Sequence, residues 1–120
     1  MAFNFQKLEV YKLAIEFAVF AKKATLDLPR GNGDIRNQLQ RASTSIVLNI
    51  AEGAGKIQRD DKRKSYAIAL GSTTECAAAM ELMSALELLD ADDAQKGSDM
   101  ARRIEAMLVK LDESVGRRTR

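Results

Sequence analysis

Between Asn37 and Lys56 apolar residues recur at helical spacing, yet the stretch has no charged face. Ile35, Leu39, Ala42, Ile46, Ile50 and Gly53 return every three or four residues and form one apolar stripe. Gln38, Arg41, Ser45, Asn49, Glu52 and Lys56 form a polar stripe about 100° round the helix. The remaining arc, with Gln40, Thr44, Val47, Leu48 and Ala51, is not a solvated face either, and from Ala42 to Gly55 the only charge is Glu52. A helix that lacks a wet side is expected to be buried on several sides, hence against partner subunits.

Elsewhere the pattern predicts three more helices. Phe5 to Leu26 carries the row Val10, Leu13, Phe17, Phe20 and Ala24, and Leu28-Pro29-Arg-Gly-Asn-Gly33 stops it. Asp34 is the expected N-cap of the second helix, about 34–53, which ends at the glycines Gly53 and Gly55. Helix three is expected over about 60–89, roughly 45 Å at the usual rise. Beyond Ser65 its only charges are Glu75, Glu81 and Glu87, and Gly71, Ser72 and Ala77–Ala79 would let a neighbouring backbone approach. Helix four, about 91–115, is capped by Asp90 and buries Met100, Ile104, Met107, Leu108 and Leu111; residues 116–120 read as a basic tail. Four amphipathic helices with short links make one all-α domain over 1–120, an antiparallel up-down-up-down four-helix bundle.

Composition sharpens the exclusions. The absence of histidine removes Ser-His and Cys-His pairs, the usual zinc sites and the Glu-x-x-His pairs of di-iron bundles. Gly53-Ala-Gly-Lys56 lacks the first glycine and the final Ser/Thr of a phosphate loop, and no strand precedes it. Asp90-x-Asp92 lacks the glycine and Glu of a calcium loop. No cofactor, metal or catalytic residue is indicated, and the chain is read as a non-enzyme. Cys76, the one cysteine, has no cation beside it on the helix and reads as a small core residue. No stretch approaches the roughly 20 apolar residues of a membrane span, so no membrane partner is expected and a reducing cytoplasm is the simplest location.

Several blocks together resemble the 23S rRNA-intervening-sequence proteins. These are Gln38-Leu-Gln-Arg41-Ala-Ser-Thr-Ser-Ile46, Asn49-Ile-Ala-Glu-Gly53-Ala-Gly55 and Gly71-Ser72-x-x-Glu75, with Leu8-Glu-Val-Tyr11 and Leu28-Pro29 in support. The resemblance covers about three-quarters of the chain. It implies a bacterial four-helix bundle assembled as a cyclic homopentamer, with no settled catalytic activity. A related branch serves retroelements as a basic accessory protein to the reverse transcriptase, which implies RNA or ribonucleoprotein binding. Gln58 stands where that family usually has a helix-capping Ser, and the Lys62–Ser65 region is more polar than its pattern.

Two sets of residues are therefore candidates. The first is a structural polar network of Gln38, Arg41, Asn49, Glu52, Ser72 and Glu75. A turn near Lys56 sets Arg41 level with Ser72 and Gln38 level with Glu75, so an Arg41–Glu75 ion pair is expected within one subunit. Glu52 is expected to meet Lys62 and the start of helix three, and Asn49, without an evident partner in the chain, to face another subunit. The second set is Lys56, Arg59, Lys62, Arg63 and Lys64, five cations against Asp60 and Asp61. Residues 1–64 carry 12 basic and 7 acidic side chains and residues 65–120 carry 7 and 10, although the net charge is only +2. With no aromatics interleaved, RNA contact here would be to phosphate rather than bases. Two functions remain: an oligomeric assembly or adaptor protein with weak RNA or ribonucleoprotein binding, and a structural or protein-binding oligomer with no nucleic-acid role.

Overall fold

The first helical segment is broken near its start. In the computed structural model, which describes residues 2–117, Asn4–Lys7 forms one 3-10 turn, Leu8 is extended and α1 runs Glu9–Ala24. The Phe3 backbone N–H donates to Gln6 Oε1 at 2.8 Å and closes the turn. The turn stacks Phe5 on Phe3 and brings it to Tyr11, with ring centroids 5.5 and 4.8 Å apart. A continuous helix from Phe5 is thus replaced by a fold-back that gathers the aromatic rings. At the other end, buried Thr25 donates to Ala21 O (2.9 Å) and accepts from Gln40 Nε2 (3.0 Å), tying the end of α1 to the next helix.

Helix α2 spans Gly33–Gly55, and its N-cap is Asn32 rather than Asp34. The Asn32 side chain instead donates to Pro29 O at 2.8 Å, while Asp34 lies in the first turn, where a carboxylate favours the positive helix end. Helix α3 spans Arg59–Ala85, stopping a turn earlier than the apolar pattern suggests. Glu87 adopts φ +60°, and Leu88 N–H reaches back to Met83 O at 2.8 Å. This left-handed exit turns Leu88 and Leu89 onto the core, an enclosure that straight continuation of the helix would forgo. A non-glycine residue in this conformation is strained. Glu87→Gly is therefore expected to raise stability by about 0.5–1 kcal/mol in thermal melts; an unchanged or lower melting temperature would mean that the Glu87 side chain contributes more than the strain costs. Helix α4 spans Ala91–Arg117, its start capped by Asp90, whose Oδ1 accepts from Asp93 N–H at 2.8 Å.

Each helix packs on its neighbours in sequence and α4 closes on α1, while the backbones of the diagonal pairs stay apart across the shared core. Ser72 meets Ser45 while Tyr66 lies against Gly53, so α2 and α3 run in opposite directions. Arg63 meets Asp112 while Met80 lies against Gly97, and α3 and α4 do likewise. The result is an all-α four-helix bundle 52 Å long and 25 × 21 Å across. Its centre is Phe17, Leu39, Ile46, Ile50, Ile104 and Leu108, all fully buried. The up-down path sends the α2–α3 turn and the α3–α4 turn to opposite ends.

Candidate functional site

That separation sorts charge along the bundle axis. Residues 56–64 hold five cations and two carboxylates, a balance of +3 at one end. Residues 87–99 hold Glu87, Asp90, Asp92, Asp93 and Asp99 against Lys96 alone, a balance of −4 at the other end, which the α1–α2 link at that same end, with Lys22, Lys23, Arg30 and Arg36 against Asp27 and Asp34, reduces to −2. In sequence the two stretches lie within one half-chain imbalance; the fold makes them poles.

The five cations at the positive end are not equivalent. Lys62 is half-buried and donates to Gly53 O and Ala54 O at 3.2 and 3.1 Å, capping the last carbonyls of α2. Arg63 reaches α4 and holds Asp112 through two parallel bonds of 2.9 Å, Nε to Oδ1 and Nη2 to Oδ2. Arg59 lies 3.3 Å from exposed Asp60, and Lys56 only 3.9 Å from Glu52. Both are exposed pairs of small energetic weight that a stronger anion would displace. Lys64 is exposed and makes no ion pair among the described residues. Lys56, Arg59 and Lys64 are therefore the accessible cations; Lys62 and Arg63 belong to the fold. Exposed at the apex of the same turn is Ile57, 91% accessible.

The Arg63–Asp112 bond has a pH signature. The hydrogen bond from Arg63 holds the Asp112 carboxyl below its ordinary value of 3.8, and the same bond raises Arg63. A carboxylate depressed on folding stabilises the protein above its unfolded pKa, and that contribution disappears as pH falls through the lower, folded value. Wild type should therefore exceed Asp112→Asn in stability at neutral pH, with the gap closing below about pH 4. Parallel acid titrations followed by circular dichroism test this; a gap that persists unchanged at the acid limit would assign it to packing.

The polar stripe differs from its expected arrangement. The α2–α3 register is offset by one turn, so Ser45 rather than Arg41 receives Ser72, Oγ to Oγ at 2.8 Å. Arg41 and Glu75 stay exposed on the outer faces of α2 and α3, and no ion pair joins them. Gln38 is exposed as well. Glu52 turns to Lys56 instead of Lys62, because the α2 carbonyls already occupy the Lys62 ammonium. Asn49 has a partner in its own helix: Nδ2 donates to Ser45 O and Oγ at 2.9 and 3.1 Å. What the fold assembles is a small Ser45–Asn49–Ser72 seam between two exposed, oppositely charged side chains.

Sequence reasoning missed Asp112 and Ser45. Asp112 is 49 residues from Arg63, and only the α3–α4 pairing brings it there. Ser45 stood on the polar stripe but lost its place to a register one turn out.

The model of the 23S rRNA-intervening sequence proteins matches residues 6–110. The chain belongs to that family. A protein of unknown function from the S23 ribosomal protein family of Bacteroides thetaiotaomicron has a similar crystal structure, with a TM-score of 0.78. The likeness covers 87% of this chain and 95% of that one at 22% identity, and at that identity it concerns the fold alone. No curated protein matches.

Within this member of the 23S rRNA-intervening sequence proteins, Cys76 is fully buried beside the seam. Burial, with a smaller push from Glu75, raises its thiol to about 12, so it stays protonated and unreactive near neutral pH. Among the described residues no group of three or more Cys, Asp or Glu side chains is placed to hold a metal. No described helix is long and apolar enough to cross a membrane. Of the sequence-assigned tail, residues 116–117 continue α4, and 118–120 lie outside the described residues.

Proposed function

We propose that this chain is a non-enzymatic, oligomeric bundle that presents its positive end to RNA. The observation that carries the reading is the axial charge separation, with Lys56, Arg59 and Lys64 accessible at one pole. Contacts of this kind are made to phosphates, tolerate sequence and weaken steeply with salt. The exposed Leu48, Ile68 and Leu82, at 60, 48 and 50% accessibility, lie on α2 and α3 and favour lateral association of copies. Exposed Arg41 on α2 and Glu75 on α3 add opposite charges that a head-to-tail contact between copies could pair. The family resemblance supplies five as the number of copies. In such a ring, five weak cationic poles would act on one polyanion together.

Filter binding of structured ribosomal RNA at about 50 mM salt tests the RNA contact. Lys56→Glu, Arg59→Glu and Lys64→Glu together are expected to abolish retention without changing the oligomer's mass, whereas Asp112→Asn, which releases Arg63, should strengthen it. No retention by wild type, or retention that the triple reversal leaves intact, sinks the RNA reading. The α2 and α3 faces would then support the alternative, a structural or protein-binding oligomer without a nucleic-acid role.

A further inference from the structure

The groove between α1 and α4 has a volume of about 850 Å³. Its floor is Leu13, Phe20, Ala24 and Met100, of which the last three remain half-exposed. Gly97 helps to shape it, since a Cβ there would run into Met80 and Phe20. Lys96 lies over the Phe20 ring, 5.7 Å from its centroid. None of the charged side chains along the rim forms an ion pair within the described chain, although both signs are present. Asp92, Asp93 and Asp99 stand at the end of the groove that belongs to the negative pole.

The opposite pole carries a shape that fits. The α2–α3 turn projects one apolar side chain, Ile57, between the cations Lys56 and Arg59. Phosphate contact leaves that isoleucine without a role. We propose that the α1–α4 groove receives the α2–α3 turn of a second copy, Ile57 on the apolar floor and Lys56 and Arg59 beside Asp92 and Asp99. Complementarity of both kinds supports this occupant: an apolar tip flanked by cations meets an apolar floor whose rim is net negative, with Glu16, Asp92, Asp93 and Asp99 against Lys23, Lys96 and Arg103. The contact is heterologous, joining the positive end of one copy to the groove near the opposite end of the next, so it adds copies in series unless its rotation closes a ring. It differs from the lateral association through α2 and α3, and it occupies the cations that RNA would use. RNA and axial association therefore exclude each other.

Sedimentation velocity of the full chain at about 50 mM and about 1 M salt, where charge screening differs severalfold, tests the contact. Wild type is expected to form species larger than its basic assembly, growing with concentration at low salt and absent at high salt. Ile57→Asp should weaken this association by about tenfold or more, the loss of one buried aliphatic side chain. Asp92→Lys with Asp99→Lys should remove it while leaving RNA retention in place, so the axial contact and RNA binding fail separately. Joining those two changes to Lys56→Glu and Arg59→Glu in one chain should restore it with the charges exchanged. Wild type of one size at both salts overturns the proposal and leaves the groove to a different protein. Ile57→Asp behaving as wild type overturns it too, as does a fourfold variant that keeps its helical circular dichroism yet does not associate.

Discussion

Adding a single methyl group at Gly53 is expected to destabilise the protein, although alanine is the better helix former. A Cβ at Gly53 would lie 2.5 and 2.9 Å from two carbons of the Tyr66 ring and 3.1 Å from Ser65 Cβ. Tyr66 is itself buried, so its ring has no room to retreat unless α2 and α3 separate. Such overpacking costs about 1–3 kcal/mol, while replacing glycine within a helix returns about 1 kcal/mol. Separation would also loosen Lys62 from Gly53 O and Ala54 O. Gly53→Ala should therefore lose about 1–2 kcal/mol net, visible as a lower urea midpoint with an unchanged slope. A midpoint at or above wild type would show that the two helices do not need to meet this closely.

Gly71→Arg should do the reverse, sparing the single chain and dispersing the assembly. A Cβ at Gly71 meets nothing within 4 Å in one chain, so the substitution fits and gains helix propensity. Gly71 nevertheless lies on an exposed row with Ala67, Thr74 and Ala78, on a helix whose only charges between Ser65 and Ala85 are Glu75 and Glu81. Small side chains with little charge suit close approach by another copy, and a guanidinium there would block it. Light scattering should give wild type a multiple of the 13.2 kDa subunit mass and Gly71→Arg the subunit mass itself, with helical content retained. Wild type at 13.2 kDa would remove the oligomer from the proposal. A variant that keeps the wild-type multiple would move the lateral contact away from α3.

Periodicity alone was enough to identify four helices, the inner stripe Ile35, Leu39, Ala42, Ile46, Ile50 and Gly53, and the all-α class. Those properties follow from which residues recur every three or four positions, and all of these positions but the half-buried Ile35 are buried in the bundle. The breaks at Leu8 and after Ala85 were not legible, because they are set by ring contacts at Tyr11 and by a left-handed Glu87 turning Leu89 inward. Partners across helices were beyond the sequence for a sharper reason. An error of one turn in the α2–α3 register leaves every stripe in place yet exchanges Arg41 for Ser45 opposite Ser72. The same holds for charge: composition counts cations, but only packing decides which are committed. Lys62 is held by the α2 carbonyls and Arg63 by Asp112, while Lys56 and Arg59 keep only exposed pairs and Lys64 has no ion pair among the described residues, which leaves all three available at the positive pole.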